Sequence, residues 1–162
     1  MIKTAIYPGS FDPISNGHMD IIERISRLFD EVFVVVAVNP NKRYIFTDDE
    51  RVDMLRKASA HLKNVTIEKS DLLVVDYVAK KGDSVIIRGV RNVNDYLNEI
   101  SMYQFNHQSN PEIETLIMFP STDNLFISAS YIKELALFKA DITPYVPNGL
   151  APFIGETIRK RK

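Results

Sequence analysis

Apolar positions along the chain follow two rhythms that take turns. Short, nearly unbroken apolar runs at Lys3–Tyr7, Val32–Val38, Val65–Glu68, Ser84–Arg88 and Glu114–Phe119 predict five strands. Val32–Val38 has almost no polar side, which suits a central strand covered on both faces. Helical spacing fills the intervals. Ile21, Ile22, Ile25, Leu28 and Phe29 make one apolar face. Thr47 with Glu50 forms a capping box that opens a second helix to about Leu62. A third helix is predicted from Asp71 to Lys81, ended by Gly82. A fourth runs from Asn92 to about Gln108 and a fifth from Ser128 to about Lys139. A last one starts near Asn148, with Pro152 tolerated in its first turn. Asp141–Gly149 reads as a loop. Strands and helices alternating in units of roughly 20–30 residues predict an α/β domain: a five-stranded parallel sheet with right-handed crossovers and helices on both faces. No linker or repeat divides residues 1–162, so a single domain is expected.

Composition narrows the class. The 162 residues are 45% hydrophobic and 25% charged, with a net charge of −1 and no cysteine. Disulfides and thiolate metal sites are excluded. A balanced charge argues against nucleic-acid binding, and the basic Ile158–Lys162 end reads as a solvated, fraying terminus. No secretory signal or membrane-spanning run is present, so a cytoplasmic protein is expected.

Ligands of open parallel sheets bind beyond the carboxyl ends of the strands. Gly9-Ser10-Phe11 and then Ser15-Asn16-Gly17-His18 follow the first strand. Asn39-Pro40-Asn41-Lys42-Arg43 follow the second, and Arg88-Gly89-Val90-Arg91 close the fourth. Pro120 to Ser130 follow the fifth. Glycine amides, cations and serines converging on one edge point to phosphate. Taken alone, Gly9-Ser10 is a turn, Lys42-Arg43 a surface pair, and Ser128 and Ser130 a helix cap. Arg88 is different, because a cation ending an apolar strand needs a partner. His18 sits in the first turn of a helix, where amides and dipole favour anions. His61 and His107 lack such a setting and read as surface or packing residues. The acidic residues form no metal cage, so any Mg²⁺ would enter with a polyphosphate and keep its waters.

The ordered set of motifs resembles the nucleotidyltransferases. Ser15-Asn16-Gly17-His18 is similar to their (H/T)xGH signature, and Ser128-Ala129-Ser130 to their serine-rich motif. Tyr7-Pro8-Gly9-Ser10-Phe11-Asp12-Pro13, Asn39 to Lys42, Phe46-Thr47 before Glu50-Arg51, and Ile87 to Arg91 resemble the bacterial phosphopantetheine adenylyltransferases in particular. The resemblance implies a Rossmann-like domain, a homohexamer, and transfer of AMP from ATP to 4′-phosphopantetheine with Mg²⁺. It implies that His18 stabilises the transition state at the α-phosphate. Lys42 and Arg88 would hold the phosphate of phosphopantetheine. Ser10 would touch both substrates, and Val74 the pantetheine arm through its main chain. ATP would meet Phe11, Gly89, Val90, Arg91, Glu99, and Asn124, Leu125, Phe126, Ile127, Ser128, Ala129 and Ser130. Ala129 stands where a third serine is common and Asn98 where an aromatic is common. Other phosphorylated acceptors, such as nicotinamide mononucleotide or glycerol 3-phosphate, and a non-catalytic nucleotide-binding module remain open alternatives.

Overall fold

A computed structural model describes residues 3–162. Five strands, β1 (Thr4–Gly9), β2 (Glu31–Ala37), β3 (Val65–Ser70), β4 (Ser84–Gly89) and β5 (Thr115–Met118), form one sheet in the order β3-β2-β1-β4-β5. Every pairing is parallel. Helices α1 (Asn16–Leu28), α2 (Asp48–Ala58), α3 (Val74–Ala79), α4 (Val93–Ser109), α5 (Ala129–Leu137) and α6 (Ala151–Arg161) complete it. The expected parallel sheet is therefore found, each strand within a residue or two of its predicted ends.

Alternation along the strands splits the core in two. Ala5, Tyr7, Val34, Val36, Val85 and Ile87 face a cluster that includes Ile21, Ile22 and Ile25 of α1, Leu55 of α2, Ile132 of α5, and Ile154 and Ile158 of α6. Ile6, Val35 and Ile86 face the opposite way, onto Val75, Tyr77 and Val78 of α3 and onto Ile113. Successive side chains of a strand point to opposite faces, so both layers come from the same apolar runs.

Several helix ends differ from the sequence expectation. α3 begins at Val74 rather than Asp71, because the Ser70 hydroxyl takes the Leu72 amide at 3.1 Å and turns the chain first. α2 stops at Ala58, where the buried Ser59 hydroxyl donates back to the Leu55 carbonyl. α5 ends at Leu137, before Lys139 at φ 57. α6 waits until Ala151, since Gly149 at φ 80 is incompatible with a helical turn. The basic end is not a fraying tail. Arg161 donates to both carboxylate oxygens of Glu50 and, at 3.1 Å, to the Ile45 carbonyl. Ile158, three residues earlier, is fully buried.

The strand order reverses direction at β1, and there the sheet opens. β1 pairs with β4 only through Thr4, Ala5 and Ile6, yet it stays paired with β2 as far as Gly9. Pro8 has no N–H to offer, and its carbonyl accepts from Arg88 Nη1 at 2.9 Å. The gap between the carboxyl ends of β1 and β4 is the topological switch point of a doubly wound sheet, where ligands bind.

Candidate active site

A cleft of about 280 Å³ occupies that gap. Its wall includes Tyr7, Ser10, Ser15, Gly17, His18, Ile21, Gly89, Arg91, Asp95, Asn98 and Glu99, with Pro120 and Ile127 to Ser130 closing the far side. Sequences far apart in the chain meet here because β1, β4 and β5 all end at this edge.

His18 is positioned by the start of α1. Ser15 is the N-cap, and its hydroxyl accepts the His18 amide at 3.3 Å. The His18 ring returns the bond. Its Nδ1 accepts the Ser15 backbone N–H at 3.1 Å and lies 3.0 Å from the Ser15 hydroxyl. The histidine thus takes the place that Glu or Gln holds in an ordinary capping box. An Nδ1 that accepts a backbone N–H carries no proton, so the tautomer this bond dictates puts the hydrogen on Nε2. Burial lowers the His18 pKa, and the Arg91 guanidinium lowers it further, to about 4. His18 is a neutral Nε2–H donor at physiological pH.

Beneath it lies Phe11, the one buried aromatic in the turn after β1. Its φ of 49° is rare for a side chain larger than glycine. The turn folds the ring back under the strand end, edge-on to Tyr7 at 5.6 Å and to His18 at 5.1 Å. Gly9 makes this approach practicable, since a Cβ there would meet the Phe11 ring at 2.9 Å.

Two buried ionic groups hold the loops in place. Asp12 accepts the amides of Ile45 at 3.1 Å and Phe46 at 2.9 Å, and the Lys133 ammonium at 2.6 Å. Arg51 is fully buried and donates to the Ser10 carbonyl at 2.7 Å, the Ala37 carbonyl at 3.2 Å and the Asp48 carboxylate. Its guanidinium covers the Tyr44 ring at 4.0 Å. The loop after β1, the loop after β2, the start of α2 and the middle of α5 are thereby tied together.

Of the residues singled out in the sequence, Ser10, His18, Gly89, Arg91, Glu99, Ile127, Ser128, Ala129 and Ser130 share the cleft wall. Arg88 stands just behind. Its Nε and Nη2 each donate to Glu99 at 2.7 Å, so the partner a strand-end cation needs is this carboxylate. Arg91 is likewise paired, with Asp95 and with the Ile127 carbonyl at 2.9 Å. Lys42 is exposed in a turn whose amide bonds to the Asn39 carbonyl, and it is not part of the wall. Val74 packs against the opposite core layer, and Val90 is buried with its amide on the Met118 carbonyl. Asn124 and Leu125 lie in a short turn leaning on the start of α1, and exposed Phe126 meets Tyr145 edge-on. Ser128 caps α5 by accepting the Tyr131 amide at 3.0 Å. Sequence reasoning gave Asp95 no role, named Tyr7, Asp12 and Ser15 only as members of motifs, and put Ile21 only on the apolar face of the first helix. For Tyr7 the usable signal was alternation, which puts it on the face of β1 that carries α1.

No three acidic or histidine side chains converge among the described residues. The acids of the cleft, Asp95 and Glu99, each pair with an arginine.

Comparison with known proteins shows the family and the fold. The cytidylyltransferase-like family matches residues 6–135. The phosphopantetheine adenylyltransferase of Heliobacterium modesticaldum is 46% identical, covering 98% of this chain and 96% of its own. That of Wolinella succinogenes is 43% identical, covering 100% and 98%. A solved structure from Vibrio parahaemolyticus, carrying the name nicotinate-nucleotide adenylyltransferase, superimposes with a TM-score of 0.74 over 100% of this chain and 98% of its own. At 18% identity it speaks to the fold alone. Identity of this extent, together with a cleft at the switch point of a Rossmann-like sheet, places the chain in the phosphopantetheine adenylyltransferase family, within the cytidylyltransferase-like proteins.

Proposed function

We propose that this protein transfers AMP from ATP to 4′-phosphopantetheine, giving dephospho-coenzyme A and pyrophosphate. The observation that carries the reading is His18, a neutral donor held by its own helix cap at the switch-point cleft. A module that only binds nucleotide gains little from such an arrangement.

In the proposed step an oxygen of the phosphopantetheine phosphate attacks the α-phosphorus of ATP in line. The new P–O bond forms as the bond to the bridging oxygen breaks, and pyrophosphate leaves with that electron pair. The nucleophile is already an anion, so no base is needed. His18 Nε2–H donates to the α-phosphate as charge builds there. Lys42 and Arg88 offset the repulsion between two phosphates brought together, and Ser10 and the first turn of α5 receive phosphate oxygens. Any Mg²⁺ would enter with the triphosphate and offset part of its charge. The family resemblance extends the proposal to a cytoplasmic homohexamer.

Purified protein is to be incubated with ATP and phosphopantetheine, nicotinamide mononucleotide or glycerol 3-phosphate in turn, following pyrophosphate and the mass of the product. Dephospho-coenzyme A should form, and the other acceptors should be poor. Removing one donor aimed at developing charge typically costs about 10²–10³ in rate. His18→Ala should lose kcat on that scale with little change in either KM. A variant within a few-fold of the parent would remove His18 from the reaction.

A further inference from the structure

Tyr7 presents a group that the reaction as described does not use. Its residue is 5% exposed, and its ring is locked in the main core layer, edge-on to Phe11. The phenol end nevertheless reaches the cleft wall. No hydrogen-bond partner meets that hydroxyl among the described residues. The nearby guanidiniums are committed elsewhere, Arg88 to Glu99 and Pro8, Arg91 to Asp95 and Ile127. Tyr7 and Ile21 together also explain why position 89 is glycine. A Cβ there would lie 2.7 Å from the Ile21 methyl and 3.3 Å from the Tyr7 oxygen. A side chain at 89 would cover the hydroxyl; glycine leaves it open.

An unpartnered polar atom on a side chain this buried is costly unless something from the cleft satisfies it. Burial raises the pKa of the phenol far above physiological pH, against the weaker opposing pull of Arg88 and Arg91. It is therefore always a donor. A neutral donor at the cleft wall, acted on by Arg88 and Arg91 and also by the carboxylates of Glu99 and Asp20, suits an acceptor oxygen of the ligand.

We propose that the Tyr7 hydroxyl is a substrate-binding group that donates a hydrogen bond to a phosphate oxygen of the bound nucleotide, as a second neutral donor beside His18. The proposal rests on the adenylyl-transfer reading for the identity of the nucleotide. The hydroxyl's exposure to the cleft is independent of that reading.

Tyr7→Phe removes one oxygen and nothing else. Three measurements on the full chain test the proposal: thermal unfolding without ligand, calorimetric affinity for a non-hydrolysable ATP analogue, and kcat/KM for ATP from pyrophosphate release. A hydrogen bond to a charged group is worth enough to change affinity or rate by about tenfold or more. With the melting temperature held within two degrees, the expected result is a loss of fivefold or more in analogue affinity, in kcat/KM, or in both. Affinity and kcat/KM both within twofold of the parent would overturn the proposal. So would a fall of more than about five degrees in melting temperature, because the hydroxyl would then serve the fold. A parent that binds the analogue but releases no pyrophosphate with phosphopantetheine would sink the functional reading instead. The analogue affinity of Tyr7→Phe would still decide the role of Tyr7.

Discussion

His18 owes its chemistry to a bond inside the helix cap. The Ser15 amide occupies Nδ1, leaving Nε2–H to face the cleft, and burial keeps the ring neutral down to about pH 4. In an unfolded chain the same imidazole takes up a proton near pH 6.5. Between those two values the unfolded state binds a proton that the folded state refuses. The stability linked to His18 is therefore complete above about pH 6.5 and falls as the pH drops toward 4. Urea midpoints measured at pH 7.5, 5.5 and 4.5 should decline more steeply for the parent than for His18→Gln. Parallel declines would mean that the ring is protonated in the fold. The rate should correspondingly show no break near pH 6.5 that belongs to His18.

At the level of elements, the site is a set of loops fastened from behind. Asp12 holds two amides at the end of the loop after β2 and the Lys133 ammonium of α5. Asp12→Ala leaves a largely buried ammonium without its carboxylate, a change that typically costs about 3–5 kcal/mol. Asp12→Ala with Lys133→Ala should recover part of that loss, because the orphaned charge goes with its partner. Denaturant unfolding of the four proteins of this cycle gives the coupling, and additive losses would dissolve the pair. The same loop carries Lys42. If Lys42 serves the acceptor phosphate, Lys42→Ala should raise the phosphopantetheine KM several-fold and leave that for ATP nearly unchanged. Equal KM values would take it off the site.

The strands were legible in the sequence because a buried parallel strand is a short apolar run, and five such runs gave five strands. The ligand edge followed from them, and with it Ser10, His18, Gly89, Arg91 and Ser128. Less legible was everything fixed by contacts between distant residues. Arg88 plainly needed a partner, but only folding shows Glu99 beside it. The start of α3 was masked by a serine turn at Ser70, and the clamp by Arg161 links residues 116 apart. Tyr7 was hidden in plain view, since an aromatic inside a strand motif looks like core.

For the molecule as a whole, the uneven dressing of the sheet matters most. α4 has only Asn106 buried, while Val93, Tyr96, Leu97 and Phe105 are exposed along it. Beside it β5 is an edge strand of four residues with Leu116 and Ile117 half-exposed, followed by exposed Phe119. An apolar surface of this kind marks an interaction site, and another copy of the chain is the proposed partner. Light scattering after size exclusion should give about six times the chain mass. Leu97→Glu should shift the protein to smaller species with the helical signal intact. A monomeric parent at micromolar concentration would refute the assembly. No helix among the described residues is long and apolar enough to cross a membrane.

The clamp made by Arg161 also sets an order of events during synthesis. Arg161 leaves the ribosome 116 residues after Ile45, whose carbonyl it holds. At translation speeds of about 5–20 residues per second, that is a delay of roughly 6–23 s. Through that interval the strands of the sheet can pair, while the loop bearing Lys42 has the holds of Asp12 and Arg51 to gain but lacks that of Arg161. A nascent chain of this protein completes the fastening of the loop that bears Lys42 last.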